Sequence, residues 1–149
     1  MDREISGFTL IEVLIVLAVM GVILSLAVPS YTDWRIERQL TSDTQKVAGF
    51  VQKRRAKAYS TKKNIEIIVD GSNSICDNAG HCIEMENDFK ATASNLSISS
   101  RGIYDTGHIR IEDQDMIDAY EPEYSCVVLT STRARLGEYD TNSSSCNAQ

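Results

Sequence analysis

Glu12 is the residue whose position most demands chemistry. It sits near the start of an apolar run, residues 8–28, that holds no basic residue. A carboxylate in hydrocarbon costs on the order of 3 kcal/mol, so an acid kept there needs a partner or a task. Four cysteines, Cys76, Cys82, Cys126 and Cys146, all lie beyond that run. An even number there reads as two disulfides made in an oxidising compartment, with three connectivities open. Asn-Ala-Gly inside "CDNAGHC" is turn chemistry that lets the ends of that segment meet. It favours Cys76–Cys82, leaving Cys126–Cys146. Zinc ligands need closer, CxxC-like spacing, which neither gap has, and His81 beside Cys82 reads as a loop residue. "EDQDMIDAYEPE" offers Asp113, Asp115 and Asp118 as oxygen donors for calcium, without the spacing or the glycine of an EF-hand. The rival reading is a solvated acidic loop. His81 and His108 have no nucleophile placed beside them, no glycine-rich loop follows a strand, and no serine sits in a nucleophile elbow. The expectation is a non-enzyme without a cofactor.

These residues must be positioned by few elements. The chain has 149 residues, enough for one modest domain and an N-terminal segment. Residues 8–28 match the thickness of a bilayer core when helical, about 30 Å. The seven residues before them lack the positive charge of a secretory signal, and the apolar run is too long for one. Pro29 weakens the helix locally without ending it. Beyond it Ile36, Leu40, Val47, Val51 and Ala58 recur at helical spacing and define one buried stripe. Arg54 falls on that stripe and must snorkel or mark its end. The predicted helix reaches about residue 60, roughly 80 Å at 1.5 Å per residue. From residue 64 the period changes to two. Segments 64–70, 81–86, 95–99, 107–112, 124–130 and 132–139 read as short strands punctuated by Gly, Asn, Asp and Ser. One long helix followed by consecutive strands predicts an α+β fold, an antiparallel sheet packed on the helix. The C-terminal "TNSSSCNAQ" reads as a polar tail tied down by Cys146.

Charge is unevenly spread. Residues 35–63 carry nine Lys/Arg against two acids, and residues 64–123 carry three against thirteen, within a formal net charge of −6. Mutual pairing of the two regions is the plain reading. The acidic total argues against a general nucleic-acid binder.

"GFTLIE" at residues 7–12, followed by the apolar run and Pro29, resembles the class III signal of type IV pilins and type II secretion pseudopilins. "RQLTSDTQKVAGFVQKRRAKAYSTKKNIEIIV" (38–69) is similar to the second helix half and first strand of the GspH/FimT type, and the closing strands resemble that type loosely. The resemblance implies the pilin fold. It divides the chain into a leader (residues 1–7), a transmembrane and filament-core helix half (8–30), and a periplasmic or extracellular head (31–149). The head comprises an amphipathic helix half (31–60) and a sheet region (64–149). It implies cleavage between Gly7 and Phe8 by prepilin peptidase, N-methylation of Phe8, and an inner-membrane stage before assembly with other pilins into a periplasmic or cell-surface fibre. Glu12 would then neutralise the new Phe8 amine of a neighbouring subunit, with Pro29 a further assembly position. The type implies a minor pilin of the pilus tip or initiation complex, or alternatively a minor pseudopilin of a type II secretion system. Some relatives take up DNA for natural transformation through arginines in a "GRxR" stretch. "TRAR" (132–135) stands there, with Thr132 in place of Gly. Arg133 and Arg135 alternate on a strand, which suits contact with successive phosphates of double-stranded DNA. Lys53 and Lys57 on the helix are further candidates.

Overall fold

The computed structural model describes residues 8–149, and of residues 26–29 the backbone alone. Gly7 and the proposed leader lie outside the described residues. The element order is α1 (Leu10–Thr61), β1 (Ile65–Val69), β2 (Ser74–Asp77), β3 (Cys82–Glu84), β4 (Phe89–Ala91), β5 (Asn95–Ile98), β6 (Gly107–Ile111), α2 (Gln114–Tyr120), β7 (Cys126–Leu129), β8 (Ala134–Asp140) and β9 (Ser145–Ala148). Two compact units divide the chain, Met1–Arg35 and Ile36–Gln149.

In the first unit α1 is apolar and long enough to cross a membrane, and its described side chains are exposed. Helical backbone continues through Pro29. Proline has no N–H, so the carbonyl four residues earlier loses its helical donor there. Tyr31 and Trp34 follow the apolar run with ring centroids 6.0 Å apart.

The second unit holds the core. Leu40, Val47, Val51 and Ala58 are fully buried along α1, and Ile36 packs against them at the margin. Phe50 joins them from α1. Against this face lie antiparallel strands in two sheets rather than the single sheet expected: a four-stranded one ordered β3-β2-β1-β5 and a five-stranded one ordered β4-β6-β7-β8-β9. β1 alternates inward Ile65, Ile67 and Val69 with outward residues. The buried faces of β6 and β7 supply Ile109, Ile111, Val127 and Leu129. The arrangement is α+β, a long helix with antiparallel sheets, as the resemblance implies.

Four further elements differ from the sequence expectation. Residues 114–120 form a helix, not an acidic loop: Asp113 caps it, its carboxylate accepting from the amides of Asp115 and Met116. β2 and β4 were not anticipated, and the C-terminal tail pairs as β9 along β8.

Candidate assembly site and arginine groove

The start of α1 is built by Thr9. Its hydroxyl accepts from the Glu12 amide at 3.3 Å, while the Thr9 carbonyl takes the Val13 amide. Thr9 and Glu12 thus stand in the Thr-x-x-Glu order of a capping box, of which this half is formed. The Glu12 carboxylate also sits where the helix dipole favours an anion. Among the described residues no side chain pairs with that carboxylate. Phe8, Glu12, Val13, Val16 and Leu17 together line a shallow apolar depression. Within the apolar run, residues 8–28, Glu12 is therefore the single acid, on an exposed apolar surface.

Both disulfides are sequence-local, Cys76–Cys82 and Cys126–Cys146. The first joins directly opposed residues of β2 and β3. The second reaches over β8, which lies between β7 and β9. In the same region Gly137 of β8 lies so close to β9 that a Cβ there would collide with the Asn147 carbonyl oxygen.

Two buried acids tie α1 to the sheets, and sequence patterning gave no sign of either. Asp43 accepts from the Glu86 amide at 2.9 Å, the Asn87 amide at 3.2 Å and the Asn87 side chain at 2.9 Å, and pairs with Lys46 at 2.8 Å. Asp77 accepts from the amides of Ala79 and His81 at 2.9 and 2.8 Å and pairs with Arg54 at 3.0 Å. Burial opposes ionisation of both carboxyls, yet these hydrogen bonds and cations hold both pKa values below normal. Arg54 is thus a half-buried ion-pair partner, with its guanidinium 4.9 Å from the Phe50 ring centroid.

The arginines of "TRAR" meet partners distant in sequence. Arg133 begins β8's hairpin, exchanging backbone bonds with Thr130, and Arg135 follows within β8. Both line a groove of about 600 Å³ with Arg55 and Tyr59 from α1 and Arg101 and Tyr104 from the loop after β5. Lys57 is not there. It lines a separate depression beside Asp77 and His81, and Lys53 stands exposed on α1. The four basic residues read together from the sequence are therefore not one site; α1 contributes Arg55 instead, on the turn that faces the hairpin.

Asp113, Asp115 and Asp118 do not converge as calcium ligands. Asp113 is committed to its cap, and Asp118 accepts from Thr141 at 2.9 Å. Among the described residues no three His, Cys, Asp or Glu side chains assemble as a metal site. His108 meets the Thr92 hydroxyl at 3.1 Å, and burial with the nearby Arg110 lowers its pKa.

Residues 3–28 match the family model described as the prokaryotic N-terminal methylation motif. No solved structure matches the chain. The motif is the signal of type IV pilins and pseudopilins, and with the α+β architecture it supports a place in that superfamily. It implies processing by prepilin peptidase and assembly with other pilins. The exposed apolar helix is consistent with membrane anchoring before assembly.

Proposed function

We propose that this chain, a prepilin by its signal, is a minor subunit of the GspH/FimT type in a type IV pilus. Prepilin peptidase cuts between Gly7 and Phe8 and methylates the new amine. The chain itself is a structural and binding subunit, not an enzyme. The observation that carries the reading is the unpaired Glu12 carboxylate on an exposed apolar helix, four residues from the future Phe8 amine. Each charge is costly in apolar surroundings, so pairing them between subunits draws the chain into the filament and fixes its axial register.

Glu12 has a competing local task at the helix start, and one substitution separates the two. Glutamine serves a capping box as glutamate does but carries no charge. Glu12→Gln is expected to leave cleavage and helix content intact while removing most of the subunit from sheared filaments. Immunoblots of cell and filament fractions read both. Normal incorporation of the variant would sink the registration role.

The groove around Arg133 and Arg135 favours a second element of the reading, contact with DNA during uptake, because guanidinium groups without local acids attract phosphates. A minor pseudopilin of a type II secretion system is the alternative. It predicts that deletion impairs protein export and leaves pili and transformation unchanged.

A further inference from the structure

The apolar run of α1 is bounded by aromatic residues and contains none. No Phe, Tyr or Trp stands between Phe8 and Tyr31, and Trp34 follows one turn later. Charge keeps similar boundaries: no Asp, Glu, Lys, Arg or His stands between Glu12 and Asp33. Tyr31 and Trp34 are 61% and 51% exposed, their ring centroids 6.0 Å apart and their planes tilted by 35°. Helical backbone runs through both. Tyr31, Trp34 and Arg35, at i, i+3 and i+4, therefore share one face of α1, with Asp33 on the opposite side. Rings left half in water cost free energy until apolar matter covers them. Phenol and indole each join an apolar body to a hydrogen-bond donor, so the cover that suits them is apolar below and polar above. A bilayer offers that at its headgroup boundary, where acyl chains meet glycerol carbonyls and phosphates. Arg35 beside the rings can lay its stem on the same layer and its guanidinium among the phosphates.

Length agrees with that chemistry. At 1.5 Å per residue, Tyr31 lies about 28 Å and Trp34 about 33 Å along the helix axis from Glu12. The two values bracket the hydrocarbon thickness of a bilayer, about 30 Å. A neighbouring helix would also cover the rings, but it would impose no such match between the rings, the acid and the charge-free span.

We propose that Tyr31 and Trp34, with Arg35, form a lipid-headgroup anchor that fixes the depth of α1 in the membrane and thereby holds Glu12 at the opposite hydrocarbon boundary. There the lone carboxylate keeps water while the chain awaits assembly. Phe8, four residues nearer the N-terminus, then lies outside the hydrocarbon and open to the peptidase. The membrane stage and the cleaved bond rest on the function proposed above; the depth of the rings is read without either.

The test reconstitutes the full, uncleaved chain in vesicles of phosphatidylethanolamine and phosphatidylglycerol. Trp34 is the single tryptophan, so its fluorescence reports one depth. Lipids brominated beside the headgroup should quench it more strongly than lipids brominated near the chain ends. The reverse order overturns the anchor and leaves the membrane stage standing. No quenching by either lipid overturns both. Emission that shifts as the chain is diluted with lipid assigns the rings to a second copy and overturns the anchor. A second variant reads the far end of the run. All four native cysteines are paired, so Leu10→Cys supplies one reactive thiol. Ser30→Trp/Trp34→Ser moves the indole by four residues, about 6 Å. The helix should slide to return the indole to headgroup level, which draws residue 10 into hydrocarbon. Labelling of Leu10→Cys by a membrane-impermeant maleimide should fall severalfold in that background, with helix content unchanged by circular dichroism. Unchanged labelling shows that the rings do not set the depth and overturns the proposal. Peptidase cleavage should slow in step with labelling; normal cleavage with reduced labelling keeps the anchor and overturns its link to the peptidase.

Discussion

Asp43 shows how much one buried side chain organises. It is 0% exposed, and it gathers two loop amides, the Asn87 side chain and the half-exposed Lys46 ammonium. Asp43→Ala leaves those donors unmet, and chemical denaturation should show a loss of about 3 kcal/mol. The pH dependence follows from the sign of the shifts. Asp43 and Asp77 have folded pKa values below 3.8, so the unfolded chain binds more protons as the medium turns acid. Their stabilisation is complete above about pH 4 and is lost as pH falls through the folded values. His108 is also depressed, so its contribution is complete above about pH 6.5 and declines below it. Melting temperature should therefore decline gently below about pH 6.5 and steeply below about pH 4. The steep limb should flatten in Asp43→Ala.

At the scale of elements, the two disulfides stabilise unequally. They close sequence separations of 6 and 20 residues. Loop-closure entropy gives about 2 kcal/mol for the shorter and about 3 kcal/mol for the longer. Replacing Cys126 and Cys146 with serine should cost more than replacing Cys76 and Cys82. It should also speed hydrogen exchange along β9, an edge strand held on one side only. The elements differ in how far the sequence announces them. The α1 stripe was legible because Leu40, Val47, Val51 and Ala58 keep helical spacing over five turns. β1 was legible by strict alternation. β4 was not, because Phe89–Ala91 is three residues long and two alternations cannot establish a period. α2 hid behind its acids, although Asp113 before Met116 and Ile117 is a capping signal readable without coordinates. The split into two sheets follows from strand pairing across the chain, which no local pattern records. The groove was half legible: Arg133 and Arg135 stand two apart, whereas Arg55, Arg101 and Tyr104 are joined to them by tertiary packing alone.

At the scale of the whole molecule, the division of labour between the units is sharp. All the buried apolar residues among those described fall at Leu40 or later, so the first unit adds nothing to the core. A chain of residues 36–149 should melt cooperatively within a few degrees of the full chain, by near-ultraviolet circular dichroism. A melting temperature many degrees below that of the full chain would show that the head depends on the helix half before it.

Neither disulfide includes a residue of α1. Each sheet carries one internal cross-link, whereas the helix is held by packing, by Asp43, by the Arg54–Asp77 pair and by the Arg55–Gly102 bond. In a fibre under tension, load enters through that helix and must leave it by non-covalent contacts pulled in shear. Such a seat yields at a force set by a few polar tethers loaded together, and reducing agents would leave that force largely unchanged.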